Sequence, residues 1–210
     1  MVSKREIIFF AIVIAFGSAI SLLAFSIAPT DPLTLTIRLL ALNGYIAISI
    51  AVIMTPFLKQ ITLFFKTPFT KVHHYFAVAG LLLITMHPIA VFIQFFSPAV
   101  FVPYFTSLFA FFFYGGVIAL TLIYVAFGAV LLRRKIAVYW RWLHALMYAA
   151  LFIGVVHANL RGIDFQSIYI KIVYDGLFAA ALLAFGLKRW QFYRLKSRIH
   201  KNSLTINNSA

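Results

Sequence analysis

Six stretches of the chain are apolar almost without interruption: about Ile7–Ile27, Leu35–Leu58, His73–Phe96, Phe105–Leu132, Tyr139–Leu160 and Ile168–Leu187. Each is close to or above the roughly 20 residues that a helix needs to cross a bilayer core. The connectors between them are short and rich in Pro, Thr, Lys or Arg. This pattern predicts an all-α, polytopic membrane protein. Residues 1–200 are expected to form one six-transmembrane-helix bundle, and the polar C-terminal tail over 201–210 to be disordered. The first stretch has no small-residue cleavage motif before its polar exit at Pro29-Thr30-Asp31-Pro32, and reads as a retained span rather than a signal peptide. Pro56, Pro88 and Pro98 fall near segment ends, where a missing backbone donor is tolerated or produces a kink. No internal repeat is present.

Composition narrows the class. The chain has 210 residues, 64% hydrophobic and only 10% charged, which excludes a soluble nucleotide-binding or catalytic domain of any size. There is no cysteine, so disulfides, iron–sulfur clusters and thiolate chemistry are excluded, and any metal or cofactor must use other ligands. The formal net charge of +14 would suggest nucleic acid in a soluble protein. Here its placement gives a simpler account. Fifteen of the eighteen Lys and Arg residues fall in the N-terminus, two of the connectors and the C-terminal tail that six crossings put on one side. Only Arg38, Arg161 and Lys171 fall on the other. Basic residues in short loops stay cytoplasmic, so both termini are expected in the cytoplasm of a multi-pass plasma or inner membrane protein. Anionic lipid headgroups are the expected counter-ions, and nucleic acid is not an expected partner.

Five of the six histidines lie in or at the ends of two predicted spans: His73, His74 and His87 on the third, His144 and His157 on the fifth. Ionisable side chains at membrane depth are costly and usually functional. His73 and His87 are fourteen residues apart, about 21 Å of helix and nearly four whole turns, so both project from one face. His144 and His157 are thirteen apart, about 20 Å of rise, and the two spans run in the same direction. His73 therefore matches His144 in depth, and His87 matches His157. Two pairs of imidazoles on neighbouring helices suit bis-histidine ligation of two stacked b-type haems. His74 could replace His73. Thirteen residues on an ideal helix leave the second side chain about 140° from the first, so a kink or π-bulge, with Gly154 as a candidate weak point, or haems on different sides of the helix must reconcile them. The alternative for each histidine is an interface position bonded to a backbone carbonyl or another polar side chain. His200, in the basic tail, reads as solvated.

Near these histidines, Lys71 and Arg141 at the inner level and Arg161 at the outer level could pair with haem propionates, or could be ordinary snorkelling interface residues. Tyr139, Trp140 and Trp142 read as an interfacial aromatic belt, and the many Phe as lipid contact and packing. Gly115-Gly116 sits inside an apolar span and reads as a helix-packing contact rather than a phosphate loop.

The stretch Tyr139-Trp140-Arg141-Trp142-Leu143-His144, continued by Phe152-Ile153-Gly154-Val155-Val156-His157 and Ala158-Asn159-Leu160-Arg161-Gly162, resembles the fifth span of the ferric reductase-like transmembrane domain family. That family includes the membrane halves of ferric reductases and NADPH oxidases, and the haem subunit of the bacterial methionine sulfoxide reductase system. His73-His74-Tyr75-Phe76-Ala77 through His87 is similar to the family's third span. The resemblance implies that His73 and His144 bind an inner haem, and His87 and His157 an outer one. The four-histidine set leans toward the two-haem reductase and oxidase branch. Members that oxidise NADPH themselves carry flavin and nucleotide domains after the sixth span, whereas this chain has no flavin or nicotinamide site. The electron donor is then expected to be a separate cytoplasmic flavoprotein or a membrane quinol, and the acceptor to lie on the outer side, such as ferric iron. A quinol-linked haem subunit of an exported reductase is the alternative within redox chemistry. A proton- or metal-translocating transporter without haem is the rival from another class.

Overall fold

The computed structural model describes the backbone of residues 4–207 and side chains as far as Ser197. All regular elements among the described residues are helical. The α-helices are α1 (Lys4–Ile27), α2 (Pro32–Ile53), α3 (Leu58–Phe65), α4 (Phe69–Phe95), α5 (Leu108–Phe113), α6 (Gly116–Leu131), α7 (Trp140–His144), α8 (Leu146–Arg161) and α9 (Ile168–Asn207). Five helices are long and apolar enough to cross a membrane: α1, α2, α4, the α7–α8 run and α9 up to Ser197.

The element boundaries follow local chemistry. Asp31 starts α2 by accepting backbone bonds from Leu33 and Thr34 at 3.0 Å, with Pro32 in the first turn where its missing donor costs nothing. The second apolar stretch does not continue to Leu58 as one helix. A 3₁₀ turn over Thr55–Phe57 containing Pro56 closes it, and Leu58 begins the separate helix α3. Exposed Leu58, Leu63 and Phe64 lie beside Lys59 and Gln60 on α3, as on a helix lying in a membrane interface. Pro88 falls inside α4 rather than near its end. The fourth stretch is broken at Tyr114–Gly115, giving α5 and the shorter α6. The last helix extends to Asn207, through the first part of the tail; residues 208–210 and the side chain of His200 lie outside what the structure describes.

Two antiparallel helix pairs carry the histidines. In the first, α2 packs along α4 and the two cross at glycines: a Cβ on Gly44 would meet Ile84, and one on Gly80 would meet Ile48. In the second, α5 and α6 pack against α7 and α8. Direct contact between the pairs is sparse and runs mainly through α2 and α8, with α9 packed against both. The core between them contains Tyr45, Leu151, Val155, Ile170 and Tyr174. Tyr45 donates a hydrogen bond to the Leu151 carbonyl at 3.2 Å, and Gly154 lets its ring lie against α8. Helix α1 is held to α3 and α4 by an aromatic cluster in which Phe9 meets Phe65 and Phe76 edge to face and Phe10 stacks on Phe76. Large exposed apolar side chains cover the periphery, as a lipid solvent requires.

Candidate cofactor site

Each of the four depth-matched histidines donates from Nδ1 to a backbone carbonyl of its antiparallel partner. His73 bonds Ala51 at 3.0 Å and His87 bonds Ile37 at 3.0 Å, both acceptors on α2. His144 bonds Ala126 on α6 at 3.2 Å, and His157 bonds Phe113 on α5 at 2.7 Å. A carbonyl oxygen can only accept, so Nδ1 carries the proton and Nε2 keeps its lone pair. The register is regular in both pairs. Fourteen residues forward along α4 correspond to fourteen residues back along α2, and thirteen forward from His144 correspond to thirteen back from Ala126 to Phe113.

The acceptors are available for physical reasons. A carbonyl has two lone pairs, and those in the last turn of a helix lack intrahelical donors. Ala51 stands in the last turn of α2, and Phe113 is the last residue of α5, where the chain breaks at Tyr114–Gly115. Gly44 and Gly80 sit seven residues from each acceptor and each imidazole respectively, midway between the two levels. Their missing side chains set the close approach that lets both α4 histidines reach α2.

The helical run is interrupted at Ala145, not at Gly154, and this break makes up part of the thirteen-residue shortfall. The chain leaves α7 immediately after His144, and Tyr148 N–H bonds back to Ala145 in a tightened turn at 3.1 Å. A 3₁₀-type turn adds roughly 20° of rotation per residue, so this one recovers about 60° of the 140°, in the direction the shortfall requires. Both side chains accordingly bond to the α5–α6 side of the bundle.

The structure brings His73 within electrostatic range of His144, and His87 within range of His157. Arg161 accompanies the second pair and stacks over Phe113 at 5.3 Å and Tyr114 at 5.5 Å. Gly116 lies beside the same pair, where a Cβ would come within 3.1 Å of His157 Nε2. Gly115-Gly116 is thus a helix break and a cradle for an imidazole, as well as a packing contact. His74 is exposed, whereas His73 is half-buried and stacks on Phe69 at 5.5 Å. Lys71 is exposed on the first turn of α4, and Arg141 stacks on Trp140 at 5.5 Å.

Two polar contacts escaped the sequence reading. Arg38, 8% exposed, forms a two-pronged ion pair with Asp164, 4% exposed, at 2.5 and 3.1 Å. It also donates to the carbonyls of Ala24 and Ala28 on the last turn of α1 and just beyond. The clamp joins α1, α2 and the turn after α8, and it adjoins Ile37, the acceptor of His87. Asn159 bonds Asp175 of α9 at 3.0 Å, within the same end of the bundle. The available signal was scarcity: the chain has four acidic residues, Arg38 is the one basic residue inside the second apolar stretch, and Asp175 is a carboxylate inside the sixth.

Fold and site together define an all-helical protein with membrane-length apolar helices and two levels of paired imidazoles. Comparison with known proteins found no matching family model, no similar characterised protein and no similar solved structure.

Proposed function

We propose that the chain is a six-span membrane cytochrome that carries electrons across the bilayer through two b-type haems, one at each histidine level. The observation that carries this reading is the set of four Nδ1–carbonyl bonds, which leave four Nε2 lone pairs on two facing helix pairs. A backbone-bonded histidine is also what simple packing produces. Four of them, matched two by two in depth and arranged in one register, go beyond packing. Two imidazoles per level are the protein donor set of a bis-histidine haem, whose porphyrin supplies the remaining four nitrogens. A structural or catalytic zinc-type site takes three or more protein donors, and among the described residues no group of three His, Cys, Asp or Glu comes together. This disfavours the metal-transporting alternative.

Bound there, haem would supply reversible one-electron transfer. The chain's own part is to fix the imidazoles through second-shell carbonyls, exclude water and bias potential with nearby cations. In this reading α5 and α6 together make the sixth crossing, and the excess of Lys and Arg at the His73 level makes that level cytoplasmic. The membrane is the plasma or inner membrane. The donor is a separate flavoprotein docking on the basic side, and the acceptor is on the outer side, with chelated ferric iron as the first candidate. One observation favours the quinol-linked alternative. A groove of about 650 Å³ between α1, α2 and α4 is lined by Ser18, Ser21 and Asn43 among apolar side chains. It would admit a lipid-soluble donor.

Proteoliposomes holding ferricyanide inside and impermeant dithionite outside test the function. The reading expects ferricyanide reduction that requires the protein and is lost in His87→Ala. A rate equal to that of protein-free vesicles would overturn it.

A further inference from the structure

Helix α9 brings a group of cations to the His73–His144 level. Arg189 stacks between Trp142 at 5.4 Å and Phe185 at 5.2 Å. Trp142 stands two residues before His144, and Phe185 packs on Tyr148 at 4.7 Å, one turn after it. These contacts fix the turn of α9 containing residues 185–189 against the break that carries His144. Lys188, in that turn, lies within electrostatic range of both His73 and His144. The charges acting on Lys188 are Arg189 and Arg141, both cations, with no carboxylate among them. Three of the chain's four acids are engaged elsewhere: Asp31 caps α2, Asp164 holds Arg38, and Asp175 accepts from Asn159. All three side chains are exposed, so their repulsion is softened by solvent and an anion among them lowers it further.

We infer that Lys188, Arg189 and Arg141 form a carboxylate site that receives the propionates of the porphyrin held between His73 and His144, in place of Lys71. This rests on the haem reading above. Lys188 and Arg189 stand in one turn of α9 at this level, about 100° apart around the helix: Lys188 acts on both imidazoles, and Arg189 lies to one side against Trp142 and Phe185. Arg189 is held by aromatic faces, which restrict its side chain and leave its N–H donors for a planar carboxylate. At the other level a single stacked cation, Arg161 on Phe113 and Tyr114, lies within range of His87 and His157; here Lys188 is the cation within range of the imidazoles and Arg189 the stacked one.

The test uses purified holoprotein carrying Lys188→Gln with Arg189→Gln, and the charge-preserving Lys188→Arg as the rescue variant. Redox titration followed by haem absorbance should show one of two haems shifted to lower potential and the other unchanged, with Lys188→Arg close to the parent. Reconstitution of the haem-depleted protein gives a second readout. The parent should prefer haem over haem dimethyl ester by about tenfold at one site, the scale expected for losing a charge-assisted bond, and the double variant should not. Unchanged potentials and unchanged ester discrimination would overturn the inference. So would loss of co-purifying anionic phospholipid without a change in potential, which would make the cluster a lipid headgroup site. A parent protein that binds no haem at all would instead remove the function reading itself.

Discussion

Replacing Gly80 with Ala should release two imidazoles at once. A Cβ on Gly80 would lie 2.5 Å from Ile48 Cγ1 and 2.9 Å from the Ile48 backbone nitrogen. The side-chain carbon can rotate away, but the backbone nitrogen moves only with α2. Ordinary contact begins at 3.4 Å, so the helices must part by about 0.5 Å or more at their crossing. His73 and His87 stand seven residues to either side, each 3.0 Å from its carbonyl. The same displacement carries both bonds to about 3.5 Å, the edge of hydrogen-bond range. Overpacking costs about 1–3 kcal/mol, against up to about 1 kcal/mol regained by removing a helical glycine. Loss of a second-shell partner typically lowers metal affinity about 10- to 100-fold. The assay is haem per protein after purification in detergent, with thermal unfolding alongside. Gly128→Ala and Gly176→Ala serve as matched controls, because a Cβ at either meets nothing within 4 Å. Gly80→Ala should lose haem at both levels and melt lower, while the controls keep haem and melt at or above the parent temperature. Full haem content and unchanged melting in Gly80→Ala would refute the reasoning.

Removing one member of the buried Arg38–Asp164 pair should destabilise the bundle by about 3–5 kcal/mol, because the remaining charge is stranded; the joint replacement of both by Leu should cost much less, as denaturant unfolding in micelles would reveal. His73→Ala should remove one haem while His74→Ala keeps both in the visible spectrum, since only His73 has a carbonyl partner on α2 among the bonds described. Gly116→Val should deplete the His87–His157 level selectively, because its Cβ alone would sit 3.1 Å from His157 Nε2; equal loss at both levels would contradict this placement.

The membrane-length helices were legible because length and apolarity are properties of composition, and nothing else in a 210-residue chain competes with them. The depth matching of the histidines was legible for a similar reason, since rise along a helix depends only on residue count. The breaks were not. Ala145 carries no turn chemistry of its own, and the interruption at Tyr114–Gly115 sits inside apolar sequence, so tertiary packing decides both. Pro88, read with Pro56 and Pro98 as lying near a segment end, is accommodated inside α4 instead. The choice between His73 and His74 turns on 100° of helix rotation, which a sequence with apolar residues all around does not specify. The carbonyl acceptors were invisible because every residue has a carbonyl; only the register of the neighbouring helix selects Ala51, Ile37, Ala126 and Phe113.

The central claim is that these four imidazoles hold two haems, and the visible spectrum of the purified protein with haem quantified by pyridine haemochrome tests it most directly. The account predicts a low-spin b-type spectrum and about two haems per chain. A folded, colourless protein would contradict it.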